Sequence, residues 1–557
     1  MVGYWRYWGK AEREGDRYHL LPWHCLDVAA VGQMLLSKNA TLRHKFAAIT
    51  GLDETMCIRW LVLFLAFHDI GKFSESFQNL RPDLLKKLQS VTSTKRYSSR
   101  HDSLGNLFLK ASFENETLTF PLNESFDEWQ DVTMSIVRAY TGHHGVPPQM
   151  RGPNGLPLNF SSYFGERDSD AAEQFAREVS LLICGPSEEH SFPSPIELEE
   201  RMKKASWLMA GFAVLCDWIG SNNTWFPFCE DWFPFCEETM PLADYWKSRA
   251  IPQAEQAIRE AGINTGTALP EQSGFPGLFP QIPVPTPLQA FVDKCPIEYS
   301  PQLFILEDVT GSGKTEAALC LAGRLMAAGC GNGLFVALPT MATSNAMYDR
   351  MIEVYQRLFA KNTSPSLVLA HGARHLSETF MASVAGHGIN VSDEETATAQ
   401  CSSWLADNRK KALLADVGVG TIDQALLAVL PARFQSLRLF GLASHILIVD
   451  EVHAYDPYMN KLLQNLLAFH AALGGSAILL SATLPTHIRR DFIAAFARGC
   501  DVQKKPELES RAYLLSATTS WTLFCAKTSW TLNLVNAICN RIPRPVFYPG
   551  RVSFSVL

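Results

Sequence analysis

Seven side chains in the first part of the chain could hold metal ions: His24, the adjacent pair His68-Asp69, His101, the adjacent pair His143-His144, and Asp217. A mixed set of imidazole nitrogens and carboxylate oxygens suits divalent transition metals such as Fe, Mn, Co, Ni or Zn better than Ca. One Asp can bridge two ions. Two ions roughly 3.5–4 Å apart can stabilise both the attacking and the leaving oxygen of a phosphodiester, and each lowers the pKa of bound water. The chemistry open to these residue types is metal-assisted hydrolysis. Gly71, just after the His-Asp pair, lets the backbone turn closely around such a site.

A second set lies further along. Leu303-Phe304-Ile305-Leu306 reads as a buried strand running into Thr310-Gly311-Ser312-Gly313-Lys314-Thr315 and then an Ala/Leu-rich helix from Glu316 to Ala328. Glycines there let backbone N–H groups point at phosphates, and the helix N-terminus adds its dipole. Lys314 is expected to reach the β- and γ-phosphates of ATP and Thr315 to ligate Mg²⁺. Asp308 stands where such loops usually carry Gly or Ala. The strand Ile446 to Val449 ends in Asp450-Glu451-Val452-His453. Asp450 would hold Mg²⁺ through water, and Glu451 would orient and activate the attacking water.

The elements that position these groups differ between the two halves. The first half reads as helix, with apolar stripes over Leu26 to Leu36, Ile58 to Phe67, Ser103 to Ala111, Val132 to Tyr140 and Met202 to Ile219. The ligand candidates fall near helix ends, which suggests a bundle whose ends converge on a pocket. Residues 1–265 are assigned to this all-α domain. Residues 266–287, rich in Pro and Gly, read as a linker. From 288 to 500 strands alternate with helices, an α/β pattern with a parallel sheet. Between Trp225 and Glu237 the hexapeptide Trp-Phe-Pro-Phe-Cys-Glu occurs twice, at 225–230 and 232–237.

Composition sets bounds on function. The 557 residues suffice for more than one core, and 47% hydrophobic with 19% charged residues is the balance of a soluble globular chain. A net charge of −7 excludes a global basic field, so nucleic acid would have to be held by a groove or by local clusters such as Lys86-Lys87, Lys95-Arg96, Arg409-Lys410-Lys411 and Arg489-Arg490. Thirteen scattered cysteines without a Cys-x-x-Cys argue against a disulfide framework or zinc ribbon. No secretory start and no membrane-length apolar run are apparent, so the expectation is a cytoplasmic protein that binds no membrane.

The ordered pattern His24, His68-Asp69, Asp217 resembles the HD phosphohydrolase superfamily. Lys72 in His-Asp-Ile-Gly-Lys, Gly142-His143-His144-Gly145 and Asp217-Trp218-Ile219-Gly220-Ser221 resemble one branch of it, the nuclease domain of the CRISPR type I helicase-nucleases. The second half resembles the first RecA-like domain of a superfamily 2 helicase with a DEVH box. Pro285-Thr286-Pro287-Leu288-Gln289 is similar to the motif whose Gln reads adenine. Leu338-Pro339-Thr340, Gly420-Thr421-Ile422-Asp423 and Ser481-Ala482-Thr483 are similar to strand-contacting and coupling elements, and Asp450 to Asp456 again resembles the CRISPR helicase-nuclease.

The resemblance implies that His24, His68, Asp69 and Asp217 hold one metal and Asp69, His101, His143 and His144 a second. Lys72 would either assist substrate phosphate or form a salt bridge to an acidic ligand. His19, His44 and His190 match no family position and read as ordinary polar residues. The implied activity is a metal-dependent single-stranded DNA nuclease coupled to an ATP-dependent helicase module, acting in antiviral defence on DNA opened by an RNA-guided CRISPR surveillance complex.

The family would continue past Pro485 into a second RecA-like domain carrying arginine fingers. No Gln-x-x-Gly-Arg-x-Gly-Arg element follows, and residues 501–557, which repeat Thr-Ser-Trp-Thr-Leu at 519–523 and 528–532, are too few for that domain. The expectation is a chain cut short after its first RecA-like domain, as a fragment, a truncated gene or a split subunit, which without arginine fingers in trans binds ATP with little hydrolysis and no unwinding. Two rivals stand beside this reading. One is an HD hydrolase of nucleotides with a regulatory ATPase module. The other is a non-catalytic, nucleotide-gated adaptor.

Overall fold

The structure is a computed structural model that describes residues 3–12, 15–118, 126–152, 154–185, 192–228, 240–263, 274–361, 363, 365–370, 413–500, 522–526 and 533–535. These fall into two compact units, a helical one reaching to residue 263 and an α/β one beyond it; residues 432–440 count with the helical unit. No described helix is long and apolar enough to cross a membrane.

In the helical unit, α1 (Leu21–Lys38) opens on Pro22 and carries His24 in its first turn, where proline's fixed φ and missing N–H cost nothing. α2 (Glu54–Ala66) starts where the Asp53 carboxylate accepts from the N–H groups of Thr55 and Met56 at 2.8 and 3.0 Å. Leu61 to Ala66 are all buried, so the helix lies inside the bundle and delivers His68 and Asp69 just past its C-terminus. α3 (His101–Glu114) begins with His101 itself. α4 (Phe126–Thr141) ends in the Gly142-to-Gly145 turn. After α5 (Glu166–Cys184), the long α6 (Pro195–Gly220) is started by Ser194 and Pro195 and holds Asp217 in its last turn. Among the described residues the expected all-α character is broken at the start of the chain. A short antiparallel pair, β1 (Trp8–Ala11) and β2 (Tyr18–Leu20), precedes α1.

Close backbone approach fixes how these ends meet. A Cβ on Gly71 would lie 2.0 Å from the His101 carbonyl oxygen and 2.4 Å from the Gly105 nitrogen. Only glycine lets the turn after Asp69 lie flat on the start of α3. A Cβ on Gly32 would sit 2.1 Å from a Leu65 methyl, which brings α1 against α2.

The α/β unit is built on one sheet. Its strands β3 (Leu303–Glu307), β4 (Gly333–Leu338), β5 (Leu367–Ala370), β6 (Val417–Thr421), β7 (His445–Val449) and β8 (Ala477–Ser481) run parallel. The apolar runs of β3, β4, β7 and β8 are buried on both faces, as a parallel sheet covered by helices requires, whereas the edge strand β5 is only half-buried. β9 (Thr522–Ala526) adds antiparallel to β3, and β10 (Asn533–Val535) antiparallel to β9. The order across the sheet is β10-β9-β3-β8-β7-β4-β6-β5.

Two segments differ from the sequence reading. Within the expected linker, α7 (Gly274–Leu278) and the residue that follows it bury Phe275, Leu278 and Phe279 in the core of the α/β unit. Three large apolar side chains gain more from burial than the Pro/Gly content suggests. The C-terminal residues expected to be atypical supply β9 and β10; the rest of 501–557, Arg409-Lys410-Lys411, His190 and the second hexapeptide copy lie outside the described residues.

Candidate metal centre and nucleotide site

Five helix ends bring the seven candidate ligands together. Asp69 is the hub. Its Oδ2 lies 2.9 Å from His24 Nε2 and 3.4 Å from His68 Nε2. Its Oδ1 lies 3.2 Å from His101 Nε2 and 3.4 Å from His143 Nε2. His68 Nε2 is 3.6 Å from Asp217 Oδ1, and His144 Nε2 is 2.8 Å from His101 Nε2. Three compact groups result: His24 with His68 and Asp217, His68 with Asp69 and His143, and His101 with His143 and His144. The first and third sit on opposite oxygens of one carboxylate, the arrangement of a bridging ligand.

The far side of each ring is held. His68 Nδ1 donates to the Leu65 carbonyl at 2.7 Å and His143 Nδ1 to the Tyr140 carbonyl at 3.1 Å. Such bonds fix the tautomer with the proton on Nδ1, leaving the Nε2 lone pair for a cation. The Tyr97 hydroxyl accepts the His101 backbone N–H at 2.7 Å and lies 3.1 Å from His101 Nδ1. The Ser221 hydroxyl donates to Asp217 Oδ1 at 2.8 Å. Ser221 was legible as part of a motif. Tyr97, four residues before His101, had no signal in the sequence.

The donor set fits divalent cations. His68 Nε2 and Asp69 Oδ1 are buried with no hydrogen-bond partner among the described residues, which a protein rarely tolerates without a ligand. The 2.8 Å approach of two imidazole nitrogens, His101 and His144, is stable only with a proton or a cation against them.

Electrostatics agree. Burial alone would raise the Asp69 carboxyl, but Lys72, His68 and His101 together hold it well below the ordinary carboxylate range. Burial lowers His68 less than the Asp69 and Asp217 carboxylates raise it, so it is pushed up to about 9. Burial drives His24 and His144 well below the ordinary histidine value, keeping both neutral. Lys72 Nζ pairs with Asp69 Oδ2 at 2.6 Å and donates to the Gly9 carbonyl at 3.2 Å. Of the two roles expected for it, the salt bridge to an acidic ligand is the one formed here.

Of the remaining histidines, His44 is exposed and pairs with Glu54 at 3.0 Å. His19 is no ordinary polar residue: it is fully buried, 2.8 Å from Asp27, whose other oxygen accepts from Tyr245 at 2.7 Å. Asp27 lies on the same helix as His24, so this paired network braces the element that carries a ligand.

In the α/β unit every singled-out motif except Pro285 to Gln289, which caps a short helix ahead of β3, sits at the C-terminal end of a parallel strand, the edge where such sheets bind ligands. Gly311 and Gly313 adopt φ of +83° and +85°, and the loop leads into α8 (Lys314–Ala327). Lys314 Nζ donates to the Asp308 and Val309 carbonyls at 2.7 and 2.8 Å. The Asp308 carboxylate accepts from the Val309 N–H. Ser312 Oγ is buried without a partner among the described residues, as suits a loop that takes a polar ligand. Thr310 precedes it on the loop, and Thr315 follows in the first turn of α8.

Gln289 is buried. Its Oε1 accepts from the Thr286 N–H at 2.9 Å and its Nε2 donates to the Gly313 carbonyl at 3.2 Å. The amide thus ties helix cap to phosphate loop rather than standing free for a base. Burial pushes the Asp450 carboxyl up. Glu451 takes a left-handed φ of 54°. His453 lies 3.2 Å from the Glu451 carboxylate and 3.3 Å from Ser481 Oγ, linking the acidic pair to Ser481-Ala482-Thr483.

The family model of the Cas3 HD domain matches residues 8–226. The chain is similar to the CRISPR-associated endonuclease/helicase Cas3 of Escherichia coli, 34% identical over 515 residues, covering 89% of this chain and 56% of that protein. It is 32% identical over 498 residues to the protein of the same name from Thermus thermophilus, covering 88% and 50%. Among solved structures it is similar to T. fusca Cas3 with ADP, with a TM-score of 0.74, 25% identity, and coverage of 97% of this chain and 58% of that one. The chain spans about half the length of the curated relatives it matches.

Proposed function

We propose, on the premise that this chain belongs to the Cas3 family of CRISPR-associated nuclease/helicases, that it is a metal-dependent single-stranded DNA nuclease joined to an ATP-binding helicase module. It acts in the cytoplasm, in antiviral defence, on DNA opened by an RNA-guided surveillance complex. The observation that carries the reading is the meeting of seven ligand-type side chains around the two oxygens of Asp69.

His24, His68, Asp69 and Asp217 would hold one ion, and Asp69, His101, His143 and His144 the other. Bound there, transition-metal ions such as Fe, Mn, Co or Ni supply hydroxide near neutral pH and neutralise phosphate charge. The protein's part is to present the lone pairs. Leu65 and Tyr140 carbonyls keep the protons of His68 and His143 on Nδ1, away from the centre. Lys72 balances the Asp69 charge from the protein side. Sequence choice is left to base pairing by the guide, since backbone phosphate contacts carry no sequence information.

In the second module Thr310 to Thr315 would cradle ATP phosphates, with Thr315 and Asp450 on Mg²⁺ and Glu451 orienting water. Ser481, through His453, stands where the state of Glu451 can be passed on.

The test is incubation with circular single-stranded DNA or with free nucleotides, each with Mn²⁺ or Ni²⁺ and without ATP. DNA cleavage that stops on chelation is expected. Intact DNA with hydrolysed nucleotides would assign the centre to a nucleotide phosphohydrolase instead.

A further inference from the structure

The turn that carries the double histidine is held from outside by residues far along the chain. Arg433 Nε donates to the His144 carbonyl at 3.2 Å, and the next residue, Phe434, donates its N–H to the Gly145 carbonyl at 3.2 Å. Both belong with the helical unit. The fit is tight. Gly145 has φ +81°, and a Cβ there would lie 2.3 Å from the Phe434 ring and 2.8 Å from its nitrogen. The same ring meets Trp218 edge-on, with centroids 4.8 Å apart. Trp218 directly follows Asp217. One aromatic side chain therefore touches the residue after each of two ligand sets, His143-His144 and Asp217.

Phe434 itself is held in the left-handed region, at φ +63°. A residue with a Cβ adopts that conformation only where its surroundings over-determine it, and such positions concentrate at functional sites. Here the surroundings are two consecutive carbonyls of the histidine turn and the Trp218 ring.

We propose that Phe434, seconded by Arg433, is a positioning residue of the metal centre: it clamps the His143-His144 turn against the end of the Asp217 helix. The clamp fixes the separation of the two ligand sets. Without it the turn is free to drift from Asp69 Oδ1, and the group of His101, His143 and His144 loses its shape. The inference rests on the reading of this cluster as a metal centre.

The test uses the full chain with Mn²⁺ as probe, comparing wild type with Phe434→Ala, Phe434→Leu and Arg433→Ala. Bound Mn²⁺ is measured at limiting metal, and DNA cleavage is followed against Mn²⁺ concentration. Loss of a ligand-orienting contact weakens metal affinity roughly 10–100-fold. Phe434→Ala is expected to weaken one of the two Mn²⁺ steps by about tenfold or more on that scale, with cleavage recovering at high Mn²⁺. Phe434→Leu should restore part of the affinity. Arg433→Ala, at an exposed position, removes the hydrogen bond to the His144 carbonyl and the guanidinium over the Phe434 ring; it should show a smaller shift in the same direction and serves if Phe434→Ala does not fold. Unchanged Mn²⁺ binding in folded Phe434→Ala, or in Arg433→Ala where only that variant folds, overturns the proposal. So does a cleavage defect that excess Mn²⁺ leaves in place. Wild-type protein that takes up no Mn²⁺ would instead overturn the metal-centre reading on which it rests.

Discussion

Replacing Tyr97 with Phe removes one oxygen from the support of the metal centre and nothing else. The ring keeps its edge-on contact with Phe77, at 5.7 Å between centroids, so no cavity opens. What is lost are two contacts of one hydroxyl: the His101 backbone N–H at 2.7 Å and His101 Nδ1 at 3.1 Å. At about 1 kcal/mol for each net hydrogen bond, the combined loss is about 2 kcal/mol. Orienting contacts behind a ligand are worth roughly 10–100-fold in metal affinity, or about 1.4–2.7 kcal/mol. The two routes agree. His101 faces Asp69 Oδ1 and His144, whereas His24, His68 and Asp217 lie elsewhere. The expected result in a Mn²⁺ titration by calorimetry is therefore selective. One of the two binding steps drops by about tenfold or more, and the other stays where it is. Equal loss in both steps, or no loss in either, would refute the division of ligands across the two Asp69 oxygens.

Four further outcomes follow from the same geometry. Asp69→Asn removes the shared carboxylate, so both Mn²⁺ steps and DNA cleavage should disappear while binding of a fluorescent ATP analogue persists; retained metal would contradict the hub role. Gly71→Ala places a methyl into the His101 carbonyl and the Gly105 nitrogen. It should cost about 3 kcal/mol or more, at or beyond the upper end for overpacking, read as a fall in chemical-denaturation midpoint. Lys314→Ala should abolish ATP-analogue binding and leave cleavage of single-stranded DNA intact, measured side by side. Finally, His68 has a folded-state value raised from 6.5 to about 9 in the metal-free protein. Its contribution to stability is full below about 6.5 and is lost as pH rises through about 9. Mn²⁺ must displace that proton, so affinity should move oppositely, rising with pH by up to about tenfold per unit for one proton released. Denaturation and metal titration at matched pH values test both slopes.

What the sequence made legible were groups joined by local spacing. His68-Asp69 followed an apolar helix, Gly142 to Gly145 followed another, and the phosphate loop followed a buried strand. In each, a helix or strand end places the group, and the end is written in nearby residues. The contacts that complete the centre are ones that no repeat spacing encodes. Tyr97 reaches His101 through a helix start, and Phe434 reaches Gly145 from 289 positions away, as the neighbouring Arg433–His144 pair does. No periodicity announces such pairs. The stretch at 274–279 misled for a different reason: Pro and Gly masked three aromatic or aliphatic anchors that the α/β core absorbs. His19 misled because a lone histidine gives no hint that Asp27 and Tyr245 wait for it inside.

Lys314 already has company. Its ammonium is bound by two carbonyls of its own loop, Asp308 and Val309. A triphosphate bound there would have to draw the cation away from both carbonyls. On the proposed reading, entry would be an exchange of partners rather than the filling of an open seat.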